Sequence, residues 1–195
     1  MSVLYLIVAR GGSKRLPGKN LREIANISLV GYKCLAAKKA KSCSLAMIST
    51  DSPQIADVAR QYGVTVPFIR PAELATDTAT TEDVVRHAMA WCDDGHMVFD
   101  AIQLLEPSSP FVSPTAYDES VAMLTDSWDF IRGSVLYLFR WDYLKTRKDL
   151  YDQQDRAYPF SMTSEMAMDI DMPADFAYAE FLAEKGYVDL SWAKT

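Results

Sequence analysis

The chain has 195 residues and a net charge of −6, with 49% hydrophobic and 24% charged residues. This length suits one α/β domain with a sizeable core, so we expect a single domain over residues 1–195. The acidic balance excludes a general nucleic-acid or membrane-surface binder, because such proteins carry a net basic face. Any site for an anion must therefore be local.

The three cysteines, Cys34, Cys43 and Cys92, lack the CxxC spacing of a zinc site. Their odd number favours free thiols in a reducing compartment over a disulfide framework. No basic leader precedes the first apolar run, and no apolar run reaches the roughly 18 residues of a membrane span. We therefore expect a cytoplasmic protein that does not bind a membrane.

Buried apolar runs and capped helical patterns alternate along the chain. The predicted strands are Val3 to Ala9, Leu45 to Ser49, a short strand within YGVTVPFIRP (62–71), Phe99 to Leu105 and Gly133 to Arg140. The predicted helices are Ser28 to Lys41, Pro53 to Tyr62 after a cap at Asp51 or Ser52, Glu82 to Cys92, Pro114 to Leu124 and Ala174 to Glu184. The first helix has apolar residues at helical spacing, which predicts lysines on its solvent side.

Strands alternating with helices of this length predict βαβ units, hence a doubly wound α/β fold with a mostly parallel sheet. In such sheets, ligands bind beyond the carboxyl ends of the strands. The loops expected at that edge are Arg10 to Asn20, Ser49 to Ser52, Arg70 to Thr81 and Glu106 to Pro110.

The loop after the first strand gathers positive charge on a flexible segment. Its sequence, ARGGSKRLPGKN, places two glycines among Arg10, Lys14, Arg15 and Lys19. Glycines let backbone N–H groups approach an anion, and arginine and lysine bind phosphate directly. The Walker pattern and the dinucleotide GxGxxG pattern are both absent. The loop indicates a phosphate cradle, with a solvated basic turn as the alternative.

A pair of carboxylates lies near the other end of the chain, in MDIDMPADF (168–176). Asp169 and Asp171 project to the same side of an extended segment, because side chains alternate with a period of two. Two such carboxylates can hold a hard divalent cation such as Mg²⁺. The alternative is a surface strand end in which Asp171 caps the last helix. A metal opposite a basic glycine loop points to phosphoryl or nucleotidyl transfer.

Five segments together resemble the acylneuraminate cytidylyltransferases, the CMP-sialic acid synthetase family. That family typically shows the pattern ARGGSK-x-x-P-x-KN, which the first loop matches. The other matching segments, in the same order, are ISTDS (48–52), RPAELATDTA (70–79), LLEPSSP (104–110) and DIDMPADF (169–176). These segments extend over nearly the whole chain.

The resemblance implies a fold of the nucleotide-diphospho-sugar transferase type. It also implies Mg²⁺-dependent transfer of CMP from CTP to a nine-carbon α-keto acid sugar, of the sialic, legionaminic or pseudaminic acid type, with release of pyrophosphate. The implied nucleotide-binding residues are Arg10, Gly11, Gly12, Ser13, Lys14, Lys19, Asn20 and Ser108. The implied substrate-binding residues are Arg70, Glu106 and Ser109, and the implied Mg²⁺ ligands are Asp169 and Asp171. The implied catalytic residues are Arg10, Lys19 and Asp171.

The chain departs from the family pattern in two places that bear on the acceptor sugar. Glu106 and Ser108 stand where the family usually has glutamine and threonine. An ionised carboxylate only accepts hydrogen bonds, so next to other anions it requires a raised pKa or a neighbouring cation. The family's segment that contributes to the sugar pocket and the dimer contact has no counterpart near residues 125–132, and Arg132 replaces an asparagine there.

These departures leave two alternatives beside the leading interpretation. One is a nucleotidyltransferase for another sugar or sugar phosphate, and the other is a catalytically impaired homologue that still binds nucleotide. The expected partners are CTP and an acidic sugar, without nucleic acid. A homodimer is implied by the resemblance, but the missing segment weakens that expectation.

Overall fold

A six-stranded mixed sheet organises the computed structural model, which describes residues 1–146 and 156–194. The strands are β1 (Val3–Val8), β2 (Glu23–Ile24), β3 (Ile27–Ser28), β4 (Cys43–Ser49), β5 (Ala101–Leu105), β6 (Phe130–Arg132), β7 (Tyr137–Arg140) and β8 (Ala157–Pro159). The sheet has the order β4-β1-β5-β7-β6-β8, while β2 and β3 form a separate two-stranded ribbon.

Most helices begin at side-chain caps. They are α1 (Leu29–Lys39), α2 (Pro53–Gln61), α3 (Thr81–Asp94), α4 (Pro114–Met123), α5 (Trp141–Thr146) and α6 (Pro173–Glu184). Ser28, Ser52, Thr80 and Ser113 each accept a hydrogen bond from a backbone N–H in the first turn of α1, α2, α3 and α4. Within the described part of the chain, no helix is both long and apolar enough to cross a bilayer.

The strand β1 is parallel to both of its neighbours, β4 and β5, so the carboxyl ends of all three meet at one edge of the sheet. Val3, Tyr5 and Ile7 pack with α1, α2 and α4 on one face, and Leu4 and Leu6 pack with α3 on the other. The predicted Rossmann-like α/β class is confirmed. The strand β7 then pairs antiparallel to β5.

Two predicted strands differ from the structure. The apolar run Gly133 to Arg140 is not one strand, because the Gly133 N–H donates to the Leu136 carbonyl at 2.7 Å and closes a turn between β6 and β7. Leu136 is nevertheless fully buried by packing, so hydrophobicity alone did not distinguish turn from strand. The short strand predicted within residues 62–71 is reduced to a single bridge between Thr65 and Met47.

The exposure of the lysines of α1 differs in part from the prediction. Lys38 and Lys39 are exposed, as expected, but Lys33 is fully buried. The sheet and α4 cover one side of α1, and α6 with the β2–β3 ribbon covers another. Because neighbours surround the first two turns, the lysine at position 33 cannot reach water.

Candidate active site

A cavity of about 550 Å³ opens at the edge where the parallel strands end. Three loops form its wall: the glycine loop after β1, the segment that leads into α3, and the turn after β5. Asp171, shortly before the start of α6, completes it. The predicted cationic loop and the predicted metal segment therefore lie at one cavity, although Lys19 and Asp171 are 152 residues apart in the sequence.

Hydrogen bonds and close packing hold the glycine loop in place. The Gly11 N–H donates to Asp51 Oδ1 at 2.8 Å, and Asn20 Nδ2 donates to the Arg10 carbonyl at 2.9 Å. A methyl group on Gly11 would lie 3.0 Å from Ser52 Cβ, so a larger residue here would require Ser52, the cap of α2, to shift. The Gly11 amide is therefore engaged by Asp51, whereas Gly12 faces the cavity.

Asp77 brings two of the loop's cations together. Arg10 Nη1 lies 3.0 Å from Asp77 Oδ1 and also donates to the Thr76 carbonyl at 3.1 Å, and Lys14 Nζ pairs with Asp77 Oδ2. The hydrogen bonds from Lys14 and then from Arg10 hold the pKa of the Asp77 carboxyl below its ordinary value. A carboxylate thus occupies the space between cations that suit phosphate oxygens. Asp77 lies in the matching segment 70–79 but is not among the predicted site residues.

Lys19 reaches across the cavity to the other carboxylate. Its Nζ donates to Asp171 Oδ1 at 3.0 Å and to the Ile170 carbonyl at 2.7 Å, while Arg15 Nη1 lies 3.6 Å from Asp171 Oδ2. The Lys19 side chain is only 14% exposed, against 52% for Asp171. The cationic loop and the acidic segment are therefore linked directly.

The segment around Ile170 presents its carboxylates as the period-two pattern predicts. Ile170 is fully buried, and Asp169 and Asp171 on either side of it are exposed. The Ile170 N–H donates to the Ser108 carbonyl at 2.7 Å, which fastens this segment to the turn after β5.

Asp175 supplies the hydrogen-bond acceptor at the start of α6, because its Oδ2 accepts from the N–H groups of Asp171 and Met172. The side chain of Asp171 therefore does not cap the helix. Exposed carboxylates are the kind of ligand that Mg²⁺ takes together with water and substrate phosphate, and of Asp169 and Asp171 only Asp171 lines the cavity. The described residues hold no cluster of three or more histidine, cysteine, aspartate or glutamate side chains arranged for a metal.

Glu106 lines the cavity from the turn after β5. Burial raises the pKa of its carboxyl, with a further increase from the charge of Asp169, while Lys33 and Lys19 act in the opposite direction. Both conditions expected for a carboxylate at this position are present, namely a raised pKa and cations that oppose the increase.

Some of the remaining predicted site residues line the cavity and others do not. Arg70 reaches the cavity wall, but its guanidinium is buried and donates to the side chain and carbonyl of Ser49, so it braces β4. Ser109 is buried, and no hydrogen-bond partner for its Oγ occurs among the residues that the structure describes. The cavity wall includes Ser13, Lys14, Asn20 and Ser108 among the predicted residues, but not Gly11, Ser109 or Asp169.

Comparison with known proteins identifies the family of the chain that forms this cavity. The family model described as cytidylyltransferase matches residues 4–162, which include the glycine loop and the turn after β5. The chain belongs to the cytidylyltransferase family. The acylneuraminate-type resemblance of the sequence motifs agrees with this membership.

Among curated relatives, a CMP-N,N'-diacetyllegionaminic acid synthase of Legionella pneumophila is 43% identical over 121 residues, 62% of this chain and 52% of that protein. A pseudaminic acid cytidylyltransferase of Campylobacter jejuni is 26% identical over 163 residues, 82% of this chain and 68% of that protein. The chain spans about half the length of the first curated relatives it matches.

A solved structure of a CMP:2-keto-3-deoxy-manno-octonic acid synthetase complexed with CTP has a similar fold. Its TM-score is 0.75 at 15% identity, covering 95% of this chain and all of that one. This structural similarity supports the observed fold, which places the cavity at the carboxyl ends of the parallel strands.

Proposed function

We propose that this protein transfers CMP from CTP to a nine-carbon α-keto acid sugar and releases pyrophosphate. The observation that carries the proposal is the cavity that collects Arg10, Lys14 and Lys19 on one side and Asp171 on the other. Such a wall suits a triphosphate with a bound divalent cation, and the names of the relatives suggest an acidic sugar as acceptor.

The chemistry requires positioning more than covalent catalysis. The anomeric hydroxyl of the sugar attacks the α-phosphorus of CTP, an O–P bond forms, and the bond from the α-phosphorus to the bridging oxygen breaks. Pyrophosphate leaves with the electron pair of that bond, and the hydroxyl proton passes to solvent. Arg10, Lys14 and Lys19 would hold the phosphate oxygens and stabilise the charge that develops on them.

The carboxylates of Asp169 and Asp171 would hold Mg²⁺ at the phosphates. When bound, the cation neutralises part of the triphosphate charge. In the structure, two of the three N–H donors of the Lys19 ammonium reach Asp171 and the Ile170 carbonyl. The third would bind a phosphate oxygen.

The test is a pyrophosphate-release assay with CTP and Mg²⁺. The acceptor panel consists of N-acetylneuraminic acid, N,N'-diacetyllegionaminic acid and pseudaminic acid, with a sugar-free control and with UTP, GTP and ATP in place of CTP. We expect release that requires one of the acids and is fastest with CTP. Release with another nucleotide in preference to CTP, or binding of CTP without release for any acid, contradicts the proposal.

A further inference from the structure

One peptide unit of the glycine loop is held by two side chains, at both of its polar atoms. The carbonyl oxygen of the Arg10–Gly11 peptide accepts from Asn20 Nδ2 at 2.9 Å, and its N–H donates to Asp51 Oδ1 at 2.8 Å. The two side chains come from separate parts of the chain, since Asn20 ends the loop and Asp51 follows β4. Rotation of this peptide would break both hydrogen bonds, so together they fix its orientation.

The Asp51 side chain continues the hydrogen bonding between the parallel strands β1 and β4. The Ala9 N–H donates to the Ser49 carbonyl at 3.1 Å, which extends the pairing beyond the end of β1. Alternate N–H groups of a strand point to the same side, so the Gly11 N–H is the next donor toward β4. The chain after β4 leads directly into α2, and the carboxylate of Asp51 accepts from this N–H.

The segment that carries Asp51 is fastened on both sides. The carbonyl of Thr50 accepts from the Arg70 N–H at 2.7 Å, and the hydroxyl of Ser52 accepts from the Ile55 N–H at the start of α2. Of the two residues considered for this cap in the sequence, Ser52 therefore supplies it. The Asp51 carboxylate remains available for the glycine loop and is held on a well-anchored segment.

The fixed peptide determines what the loop presents to the cavity. Arg10 precedes it and Gly12 follows it, and both line the cavity, whereas Gly11 does not. A peptide free to rotate would displace Arg10 and Gly12 for part of the time. Only a fraction of the free protein would then be competent to bind a triphosphate, and the apparent affinity would fall by that fraction.

We propose that Asp51 is a positioning residue of the triphosphate site, which holds the Arg10–Gly11 peptide in the orientation that binds CTP. This inference rests on the proposed function, because it concerns the nucleotide side of the same cavity. Asp51 acts through the glycine loop and is not part of the cavity wall.

Two substitutions separate the hydrogen bond of Asp51 from its charge. The charge also reaches the cavity wall, because burial lowers the pKa of Arg70 to about 10 and Asp51 opposes this decrease. Asp51→Asn and Asp51→Ala both remove the charge, but only asparagine keeps an oxygen that accepts from Gly11. Asp57→Ala is the matched control, because Asp57 is exposed on α2 and pairs with Arg60. Asp51→Leu, which fills the space without accepting a hydrogen bond, replaces Asp51→Ala if that variant does not fold.

The measurements are KM for CTP, KM for the acid of the panel that is turned over, kcat, and Kd for CTP by isothermal titration. Asp51→Ala should have a KM and a Kd for CTP about three- to tenfold above those of Asp51→Asn, as expected for one net hydrogen bond. Asp51→Asn and Asp57→Ala should stay close to the natural protein. KM for the acid and kcat at saturating CTP should change little, because bound CTP selects the competent loop conformation.

Equal affinities of Asp51→Ala and Asp51→Asn for CTP overturn the inference. If both differ from the natural protein, Asp51 acts through its charge, and if only the melting temperature of Asp51→Ala falls, the aspartate is purely structural. Absence of turnover of the natural protein with every acid contradicts the proposed function, while the titration with CTP still decides the role of Asp51. A natural protein that does not bind CTP overturns both.

Discussion

The Lys19 ammonium lies 3.0 Å from the Asp171 carboxylate, so a cation of the glycine loop pairs with an expected metal ligand across the cavity. The two groups have opposite tasks in the proposed reaction, since one binds phosphate and the other binds Mg²⁺. Their pairing keeps both side chains at the cavity before substrate arrives. Separate substitutions of Lys19 and Asp171 test the two tasks.

Replacing Lys19 by alanine should lower turnover about 100- to 1,000-fold, the usual effect of removing one donor to the charge of a transition state. The fold should be retained, because Lys19 contacts Asp171 and the Ile170 carbonyl at the cavity and is not part of a core cluster. The measurement is kcat together with the melting temperature. Lys145→Ala, which removes an ion pair with Asp93 elsewhere on the surface, serves as the control. Near-normal turnover of Lys19→Ala would exclude this lysine from the mechanism.

Replacing Asp171 by asparagine should raise the Mg²⁺ concentration required for half-maximal rate at least about tenfold. An amide oxygen remains as a ligand, but the negative charge that attracts the cation is lost. A Mg²⁺ titration of the rate measures this. Asp57→Asn is the control, because Asp57 forms an exposed ion pair with its helical neighbour Arg60 away from the cavity. An unchanged titration would mean that Asp171 does not bind the metal.

Asp77 pairs with Arg10 and Lys14, which bind phosphate in the proposed reaction, so the proposal makes Asp77 a competitor of the ligand. Asp77→Asn should therefore tighten CTP binding by roughly two- to fivefold, in line with the small energies of exposed ion pairs. Isothermal titration with CTP measures the change, and Asp57→Asn again removes an exposed ion pair without approaching the cavity. Weaker binding in Asp77→Asn would show that Asp77 mainly orders the loop and does not compete with the ligand.

The buried Lys33 should make stability depend on pH. Its folded-state pKa of about 7 lies below the ordinary lysine value of 10.5, so the unfolded chain binds more protons between these values. The free energy of unfolding therefore rises as pH increases through this window, at up to about 1.4 kcal/mol per pH unit from this group. Urea unfolding at several pH values should show the rise in the natural protein and in Lys38→Met. Lys33→Met should lack that contribution, and an identical rise in this variant would refute the assignment.

Local sequence patterns were sufficient to place the main features of the cavity. A glycine loop after a buried strand predicts cations at the sheet edge, and Arg10 and Lys19 are found there. The alternation around Ile170 predicts two outward carboxylates; Asp169 and Asp171 are both exposed, and Asp171 lines the cavity. Both inferences work because they depend on the direction of side chains along one short segment.

Features that depend on distant packing could not be predicted in this way. The burial of Lys33 follows from elements on several sides of α1, so its KCLAAKK context looks like that of an ordinary solvated lysine. Asp77 lies 67 residues from Arg10, and its loop position alone does not distinguish a pairing carboxylate from a solvated one. The turn at Gly133 was missed because Leu136 is buried without belonging to a strand.

The most direct test of the proposed transfer is ³¹P NMR of a single reaction mixture containing the protein, CTP, Mg²⁺ and N,N'-diacetyllegionaminic acid. The account predicts that the triphosphate signals are replaced in parallel by those of pyrophosphate and of one new phosphodiester, and that neither appears when the acid is omitted. Persistence of CTP with this acid and with the other two acids of the panel, in a folded protein that binds CTP, would contradict the account, as would conversion to CMP without a new phosphodiester.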